Sequence, residues 1–395
     1  MVRVATLFLA LAVSTLATTP RITIREIMTP AAADGANASG SSLARGPVGD
    51  AWLSWLEAQG NYTTLRFARL EAGAAQWSAA GTIASGPEWF VNWADFPVLT
   101  VGLAGRATAV WFVKHAAAPA PSGAAAGHDH HGPGYRAFLR RTTDGGKTWG
   151  ASVPLSEESD SVEFVSLATL ADGRVLAAWL DGRAKKQGGK MQQLYARVID
   201  DSGRDVLVDP AVCDCCQTAL TAFPDGSALL AYRGRTPEEV RDIRVTRFRD
   251  RAWTEPRPLN SDDWRINACP VNGPQLASDG GRVAAAWFTA ADNEPRVLAT
   301  FSPDAGARFL MPLNLSETKP AGRVATALLH DGAFLVTWVD VAGVLWLRRL
   351  TPEFTPTDPI PLTTAADGNV KGFPRLALVR DYSGGKDPAQ LLVTF

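Results

Sequence analysis

The chain has 395 residues, of which 46% are hydrophobic and 20% charged, with 39 basic and 40 acidic side chains. This apolar content is sufficient for a large core and excludes a chain that is disordered throughout. A formal net charge of −1 leaves no basic excess to neutralise phosphates, so nucleic acid is not expected as a partner.

The first 17 residues have the pattern of a secretory signal peptide. Arg3 carries one positive charge, residues 4–13 are apolar, and residues 15–17 fit a cleavage site of small residues. The apolar run is too short to span a bilayer, so no membrane insertion is expected after cleavage. We therefore predict a periplasmic or secreted protein, in a compartment where disulfides form. The alternative for this segment is a first core strand or a short anchor helix.

Residues 18–46 are predicted to contain one strand and a flexible linker. Residues 22–27 alternate in the way typical of an edge strand. Residues 30–46 are rich in Ala, Gly and Ser, a composition typical of a linker.

From residue 47 to the end of the chain, a hairpin recurs about every 55 residues. Two apolar runs flank a turn that often contains Asp-Gly, because glycine supplies the positive φ that tight hairpins need. These turns are Asp172-Gly173, Asp225-Gly226, Asp279-Gly280 and Asp331-Gly332. The aromatic residues that end the second runs are Trp55, Trp111, Trp179, Tyr232, Trp287, Trp338 and Phe395.

Further strand-like runs follow each hairpin, which predicts an all-β β-propeller of four-stranded blades. A blade buries its faces only against neighbouring blades, so residues 47–395 are expected to form a single domain. Seven hairpins favour seven blades, with six as the alternative, and the strand at 22–27 would complete the last blade. The longest spacing, between Trp111 and Trp179, contains a His-rich insertion at 115–134.

Two segments have the pattern of a turn motif known as the Asp-box. Residues 142–149 read Thr-Thr-Asp-Gly-Gly-Lys-Thr-Trp, and residues 302–309 form a weaker copy. The aspartate is expected to accept backbone N–H groups and so to fold the turn rather than act on a ligand. With these motifs the chain resembles the sialidase-like, Asp-box (BNR-repeat) propeller family over nearly everything after residue 40. It is most similar to bacterial exported members that share segments like those at 92–97, 179–183, 213–218 and 269–274.

Propeller topology places the loops that enter the innermost strands at the same end as the loops that follow the second strands. Polar and charged residues are concentrated in these loops, and arginines among them suit the bidentate binding of a carboxylate. We therefore predict a binding face for a small molecule or glycan at this end. The candidate ligand-binding residues are Asn92, Asp95, Glu163, Asp181, Arg183, Arg233, Arg235, Asn272, Arg323 and Arg375.

Cys213, Cys215 and Cys216 precede one hairpin, and Cys269 precedes the next, so all four are expected to be neighbours. They are candidate ligands of a soft metal, copper(I) or zinc. The alternatives are two disulfides, one disulfide with a thiol pair, or redox-active thiols. His128, His130 and His131 of the insertion are further candidate metal ligands, with an inert solvated loop as the alternative.

Three functions follow from these patterns. The first is an exported propeller that binds a small ligand or soft metal through its cysteine cluster, bordered by arginines. The family resemblance implies the second, a sialidase-type glycoside hydrolase acting on an acidic sugar, which needs three arginines, an aspartate and a tyrosine paired with a glutamate. Tyr232 and Tyr382 do not match that tyrosine. The third is a protein-interaction propeller. Apart from copper or zinc no cofactor is expected, and the sequence makes no prediction of oligomeric state.

Overall fold

The computed structural model describes residues 4–9, 22–27, 36–114, 135–199, 203–329, 331–364, 370, 372–379 and 390–394. Within these residues the chain forms 29 β-strands in seven antiparallel sheets. The all-β class predicted from the sequence is confirmed. One helical turn, α1 (Arg183–Lys186), and two 3-10 turns at Leu103–Gly105 and Ala291–Asn293 lie between strands.

The strands follow the chain sheet by sheet. Two strands come first: β1 (Val4–Leu9) and β2 (Ile22–Ile27). The next sheet contains β3 (Asn37–Arg45), β4 (Ala51–Gln59), β5 (Tyr62–Leu70) and β6 (Gly81–Pro87). The following sheet contains β7 (Val98–Val101), β8 (Ala107–Lys114), β9 (Tyr135–Thr142) and β10 (Val153–Pro154). After it come β11 (Val162–Thr169), β12 (Val175–Asp181), β13 (Gln192–Ile199) and β14 (Val206–Val212).

The second half of the chain repeats this arrangement. A five-stranded sheet contains β15 (Ala219–Ala222), β16 (Ala228–Arg233), β17 (Ile243–Arg249), β18 (Ala252–Trp253) and β19 (Arg257–Pro258). The next contains β20 (Gln275–Asp279), β21 (Arg282–Thr289), β22 (Arg296–Ser302) and β23 (Leu313–Asn314). Then come β24 (Pro320–Leu328), β25 (Phe334–Asp340), β26 (Leu345–Leu350) and β27 (Ile360–Pro361). The last two strands are β28 (Arg375–Val379) and β29 (Gln390–Thr394).

The chain ends share a sheet whose strand order is β2-β1-β29-β28. The predicted strand at 22–27 therefore does belong to the last sheet, but β1 lies between it and β29. β1 falls inside the segment predicted as a signal peptide, and that prediction remains untested. The predicted linker is wrong for residues 37–45, which form β3: their small side chains pair with β4 at the inner edge of a sheet.

The hydrophobic pattern of each strand follows from its position. The second strands of the sheets read as almost continuous apolar runs, and β12, β16 and β25 are buried along their whole length. They lie between two strands of their own sheet and between two packed faces, so both of their sides exclude water. Third strands such as β9 and β13 alternate between buried and partly exposed residues, because one of their sides faces solvent more openly.

The predicted hairpins and aromatic positions are confirmed where the structure describes them. Each of the four Asp-Gly turns joins the first two strands of a sheet, and their glycines have φ between 62° and 92°. Six of the predicted aromatic residues are buried in second strands, with Phe395 outside the described residues.

The first strands of successive sheets contact one another. The contacts run from β3 to β7, β11, β15, β20, β24 and β28, and β28 contacts β3. Three of these strands, β3, β11 and β24, carry a β-bulge or register shift in their first half. A bulge redirects side chains. The loops that enter these first strands therefore carry side chains that point away from the regular direction of the sheet.

In the turns at 142–149 and 302–309 the aspartate accepts the backbone hydrogen bond that the sequence predicts. Asp144 accepts a hydrogen bond from the backbone N–H of Thr148 at 3.0 Å and another from its hydroxyl at 2.6 Å. These bonds, with one from Thr142, lower the pKa of Asp144 to about 2. Asp304 makes the corresponding bond to the N–H of Arg308 at 2.8 Å, and its pKa is also about 2. Both aspartates are therefore occupied within their own turns.

Candidate functional site

Loops that enter the first strands converge on a cleft of 1160 Å³. The side-chain amide of Gln217 joins two of them, donating to the carbonyl of Ala94 at 2.8 Å and accepting from the N–H of Gly273 at 3.0 Å. The N–H of Phe164 donates to Asp95 across a separation of 69 residues. The predicted convergence of these loops at one end is confirmed, and Gln217 is a residue at its centre that sequence reasoning missed.

Five of the predicted site residues line this cleft: Asn92, Asp95, Arg235, Cys215 and Cys269. Three residues of the loops at this end have a strained backbone. Phe164, Val271 and Arg323 have φ of 51°, 48° and 55°, in the left-handed region that non-glycine residues rarely occupy. For a β-branched residue such as Val271 this conformation is a clear outlier. Strained residues of this kind persist where surrounding contacts enforce them, and they occur preferentially at functional sites.

The sulfur atoms of Cys213, Cys215 and Cys216 form a compact buried group. All three lie within 4.8 Å of one another. The Sγ of Cys213 is 4.0 Å from that of Cys215 and 3.5 Å from that of Cys216. The three residues are at most 3% exposed. Cys269 is exposed, and its side chain contacts that of Cys215. The predicted clustering of the four cysteines is therefore confirmed, and the structure joins none of them in a disulfide.

A network of charges borders the sulfur group. Arg241 donates to the Sγ of Cys213 at 3.3 Å and to Glu239 at 2.7 Å. Donation from the thiols of Cys215 and Cys216 lowers the pKa of Cys213 well below its ordinary value, and the nearby guanidinium of Arg241 acts in the same direction. Although burial alone would lower the pKa of Arg241, Cys213 and Glu239 raise it. Cys213 is therefore the sulfur that favours the thiolate form.

Arg235 completes this network on the cleft wall. It pairs with Glu239 at 2.6 Å and with Asp214 at 3.2 Å. Hydrogen bonding to Glu239, which outweighs the effect of burial, raises its pKa. Arg235 is thus held by two carboxylates, and no further anion is required to balance its charge.

Arg323 and Arg375 differ from Arg183, Arg235 and Arg241, which pair with carboxylates. Neither has a carboxylate partner among the described residues: Arg323 donates to the carbonyl of Val370, and Arg375 to the side-chain oxygen of Gln275. Burial lowers the pKa of both, that of Arg375 to about 10. Two positive charges therefore lie partly desolvated without an acid to balance them.

An aromatic cluster supports these two guanidinium groups. Arg323 stacks over Trp93 and Arg375 over Phe96, both at 4.9 Å from the ring centre. Both rings pack against Phe373, at 5.8 and 6.2 Å. Trp93 also lines the cleft and is 48% exposed. Stacking of this kind stabilises the charge of a guanidinium while leaving its N–H groups available at the edge.

Tyr135 is a cleft residue that the sequence analysis did not identify. Its hydroxyl donates to Asp95 at 2.5 Å, and its ring stacks on Phe90. Burial, together with the charges of Asp95 and Glu163, raises the pKa of Tyr135 well above its ordinary value. No local sequence signal indicates that Tyr135 belongs to the cleft, because its partner Asp95 lies 40 residues earlier. The one feature that could have indicated it is its position as the first residue of β9, directly after the predicted His-rich insertion.

Several predicted ligand-binding residues make internal contacts away from the cleft instead. Asp181 is fully buried and accepts two bonds from the guanidinium of Arg183, which also pairs with Asp205 at 2.6 Å and stacks on Tyr195. Glu163 accepts from Gln192 at 3.0 Å. The prediction that these groups would face a ligand did not account for partners within the protein, which come from the same segment for Asp181 and from other segments for Glu163.

Arg233 is the clearest of these corrections. Its side chain is 1% exposed and donates to the carbonyls of Asn272, Arg241 and Phe288. Asn272 is buried as well, and its side-chain oxygen accepts from the N–H of Arg323 at 2.7 Å. Both residues therefore position the loops around the cleft. Asn92 has a similar role, because its side-chain oxygen accepts from the N–H of Ala94.

The predicted histidine ligands cannot be placed in this site. His128, His130 and His131 lie outside the described residues, as does the rest of the insertion at 115–134. Among the residues that the structure does describe, no helix is both long and apolar enough to cross a bilayer.

Comparison with known proteins gives similarities of fold. No family model and no curated protein sequence matches the chain. A protein of unknown function from Dyadobacter fermentans superposes with a TM-score of 0.51 at 14% identity, over 92% of this chain and 95% of that one. A Hadza microbial sialidase gives 0.47 at 14%, over 76% and 63%. The BP39L lectin of Burkholderia pseudomallei gives 0.47 at 13%, over 83% and 100%. At these identities the first similarity is one of fold alone, and ligands and activities do not transfer from any of the three.

Proposed function

We propose that this chain is an exported β-propeller of seven closed blades that binds a soft metal ion through Cys213, Cys215 and Cys216. The single observation that carries the proposal is the group of three buried sulfurs within 4.8 Å of one another. The closed ring is supported by the contacts between first strands, which pass through all seven sheets and return from β28 to β3. Export is proposed from the pattern of the first 17 residues.

The sulfur separations suit a metal with little rearrangement. A zinc–sulfur bond of about 2.3 Å gives sulfurs about 3.8 Å apart in a tetrahedron and about 4.0 Å apart in a trigonal plane. The separations from Cys213 are 4.0 and 3.5 Å. Thiolate ligands select copper(I) and zinc among biological metals. A closed zinc site uses four ligands, and the compact group among the described residues has three. This favours copper(I), for which three sulfurs suffice.

The surrounding charges support a thiolate cluster. Three thiolates around a monovalent ion leave a net charge of −2, which is costly to bury without compensation. Arg241 lies 3.3 Å from the Sγ of Cys213, and the guanidinium of Arg233 is buried nearby. Both guanidinium groups are positively charged and reduce the cost of burying the cluster.

Metal analysis of protein purified anaerobically from its native compartment tests this proposal. We expect about one copper or zinc ion per chain. In competition with a coloured copper(I) chelator, Cys213→Ser and Cys216→Ser are each expected to lose affinity by roughly 100-fold or more. Cys269→Ser is the matched control, because it removes a thiol from outside the compact group. Thiol titration that finds two complete disulfides, together with no bound metal, would refute the proposal.

A second candidate function is the binding of an acidic sugar beside the cleft. The observation that favours it is the pair Arg323 and Arg375, which lack a carboxylate partner among the described residues and stack on aromatic rings. A carboxylate would balance their charge, and the exposed ring of Trp93 offers an apolar face to a sugar. This arrangement supports binding more directly than hydrolysis.

Hydrolysis by a sialidase-type mechanism would need a tyrosine whose proton is taken by a carboxylate acting as a base. Tyr135 and Asp95 form such a pair on the cleft wall. The raised pKa of Tyr135, however, opposes formation of a phenolate. We therefore propose recognition of an acidic sugar without rapid turnover.

Titration calorimetry with N-acetylneuraminate, and with a neutral hexose as control, tests the second candidate. Binding of the acid is expected in the wild type and is expected to be lost in Arg375→Met. The matched control is Arg257→Met, because Arg257 stacks on Phe309 away from the cleft. Equal binding by both variants, or no binding by the wild type, would contradict the proposal. Rapid release from a fluorogenic sialoside, abolished by Tyr135→Phe, would establish hydrolysis instead.

A further inference from the structure

The four cysteines form a series from exposed to fully buried. Cys269 is exposed and lines the cleft. Cys215 is 3% exposed and also lines the cleft. Cys216 and Cys213, at 1% and 0% exposed, lie behind it and contribute nothing to the cleft wall. A metal bound by the compact group is therefore separated from the cleft by Cys215.

Sulfur contacts connect this series without interruption. The side chain of Cys269 contacts that of Cys215. The Sγ of Cys215 is 4.0 Å from that of Cys213, which is 3.5 Å from that of Cys216. The sulfurs that lie within 4.8 Å of one another are nevertheless limited to these last three. Cys269 thus contacts the group through its outer member and does not complete a fourth corner of the same site.

We propose that Cys269 is the first ligand of an incoming copper(I) ion and transfers it, through Cys215, to the buried sulfurs. The inference rests on the metal site proposed above and adds a route to it. Of the three clustered cysteines Cys215 lines the cleft, so an incoming ion meets Cys269 and Cys215 before the two inner sulfurs. A ligand shared between two overlapping sites allows copper(I) to move by exchange of one sulfur at a time, without ever being released to water.

Bonds and charges balance in this transfer. Binding by Cys269 and Cys215 forms two Cu–S bonds, breaks the bonds between copper(I) and its previous ligands, water or the chelator, and releases to water the protons that these thiols carry. Bonds to Cys213 and Cys216 then form, and any protons on these sulfurs also leave to water. The Cu–S bond of Cys269 breaks, and its sulfur takes up a proton from water. Copper remains in the +1 state throughout, so the transfer needs neither an oxidant nor a reductant.

Charge favours the inner end of the route. Arg241 donates to Cys213, the innermost sulfur, at 3.3 Å. Arg233 is buried close to the same sulfur and contributes a second positive charge. Thiolates therefore gain more stabilisation at Cys213 than at exposed Cys269, where water already solvates the sulfur. The ion is expected to leave the pair of Cys269 and Cys215 for the compact group.

The experiment follows copper(I) uptake by the full-length, reduced, metal-free protein from a coloured chelator complex. Stopped-flow absorbance gives the rate of uptake, and the end point of the same competition gives the affinity. Cys269→Ser is expected to slow uptake about tenfold or more while changing affinity less than about threefold. Ala268→Ser is the matched control, because it alters the neighbouring position on the same wall without removing a sulfur, and it should leave both values unchanged.

The outcomes separate this inference from the proposed function. Failure of the wild type to take up copper(I) from the chelator would refute the metal site itself. Uptake by Cys269→Ser at the wild-type rate would overturn the transfer role while leaving the metal site intact. Loss of affinity in Cys269→Ser as large as in Cys213→Ser would also overturn it, because Cys269 would then be a ligand of the resting site. Slowed uptake at unchanged affinity supports the inference.

Discussion

Replacing Arg233 by methionine is expected to lower the free energy of unfolding by about 3–5 kcal/mol. The guanidinium donates four hydrogen bonds to three buried main-chain carbonyls: two to Asn272 at 3.0 and 2.8 Å, one to Arg241 at 2.6 Å and one to Phe288 at 2.7 Å. Each carbonyl left without a partner costs about 1–3 kcal/mol, so three give about 3–9 kcal/mol. Removing a desolvated charge offsets part of this cost, since methionine fills the volume without needing to be solvated.

Equilibrium urea denaturation, followed by tryptophan fluorescence, measures this loss. The expected change is large against a typical total stability of about 5–15 kcal/mol. The matched control is Arg235→Met, which removes the same charge two positions later. The acids that pair with Arg235 keep other partners, Glu239 with Arg241 and Asp214 with Lys185, so we expect a loss of at most about 1 kcal/mol.

A loss in Arg233→Met that is no larger than in the control would refute this reasoning. It would mean that the three carbonyls find other donors, and that Arg233 is available for the ligand-binding role predicted from the sequence.

Three further predictions concern backbone geometry and pH. In Gly322→Ala, at φ +90°, the new Cβ would lie 2.2 Å from the side-chain oxygen of Asn272. In the control Gly226→Ala, at φ +81°, the Cβ meets open space, so the free energy of unfolding should fall by about 1–3 kcal/mol more in Gly322→Ala than in this control. Equal losses in the two variants would contradict the clash. The pKa of Asp144 falls from 3.8 to about 2 on folding. Its stabilising effect, compared with Asp144→Asn, should therefore be complete above pH 4 and be lost as the pH falls through 2. Acid denaturation of both proteins measures this difference. Burial raises the pKa of Tyr135 above its ordinary value of 10.0, so its contribution to the free energy of unfolding should be fully present below pH 10 and be lost at higher pH. Phenolate absorbance from this residue below pH 10, identified by comparison with Tyr135→Phe, would contradict its burial.

The repeating fold was predictable because its signals are local. An Asp-Gly turn needs only four residues to set the hairpin geometry, and the apolar runs on either side predict strands by their own pattern. Asp172-Gly173 between β11 and β12 is one such case. The linker prediction at 30–46 was wrong for residues 37–45 because it also relied on local signals alone. Residues 37–45 carry no strong strand signal, and their pairing with β4 supplies the missing stabilisation.

The spacing of the cysteines also carried information beyond its neighbourhood. Cys269 follows Cys216 by one repeat, and the loops that enter two successive sheets bring Cys269 into contact with Cys215. The order of burial among the four sulfurs was not predictable, since it depends on which loops cover them. That order, with Cys269 outermost, is what suggests a route for the metal.

The sequence by itself determined the hairpin repeat, most of its strands and the two aspartate turns at 142–149 and 302–309, because each rests on contacts within one repeat. Only the tertiary structure decided which arginines have partners. Arg233 donates to carbonyls that include those of residues 39 and 55 positions away, whereas Arg323 and Arg375 each donate to one oxygen and stack on aromatic rings at the edge of the cleft. The charge of a guanidinium is evident from sequence, but whether it is balanced depends on the distance to atoms from other loops, and folding alone sets that distance.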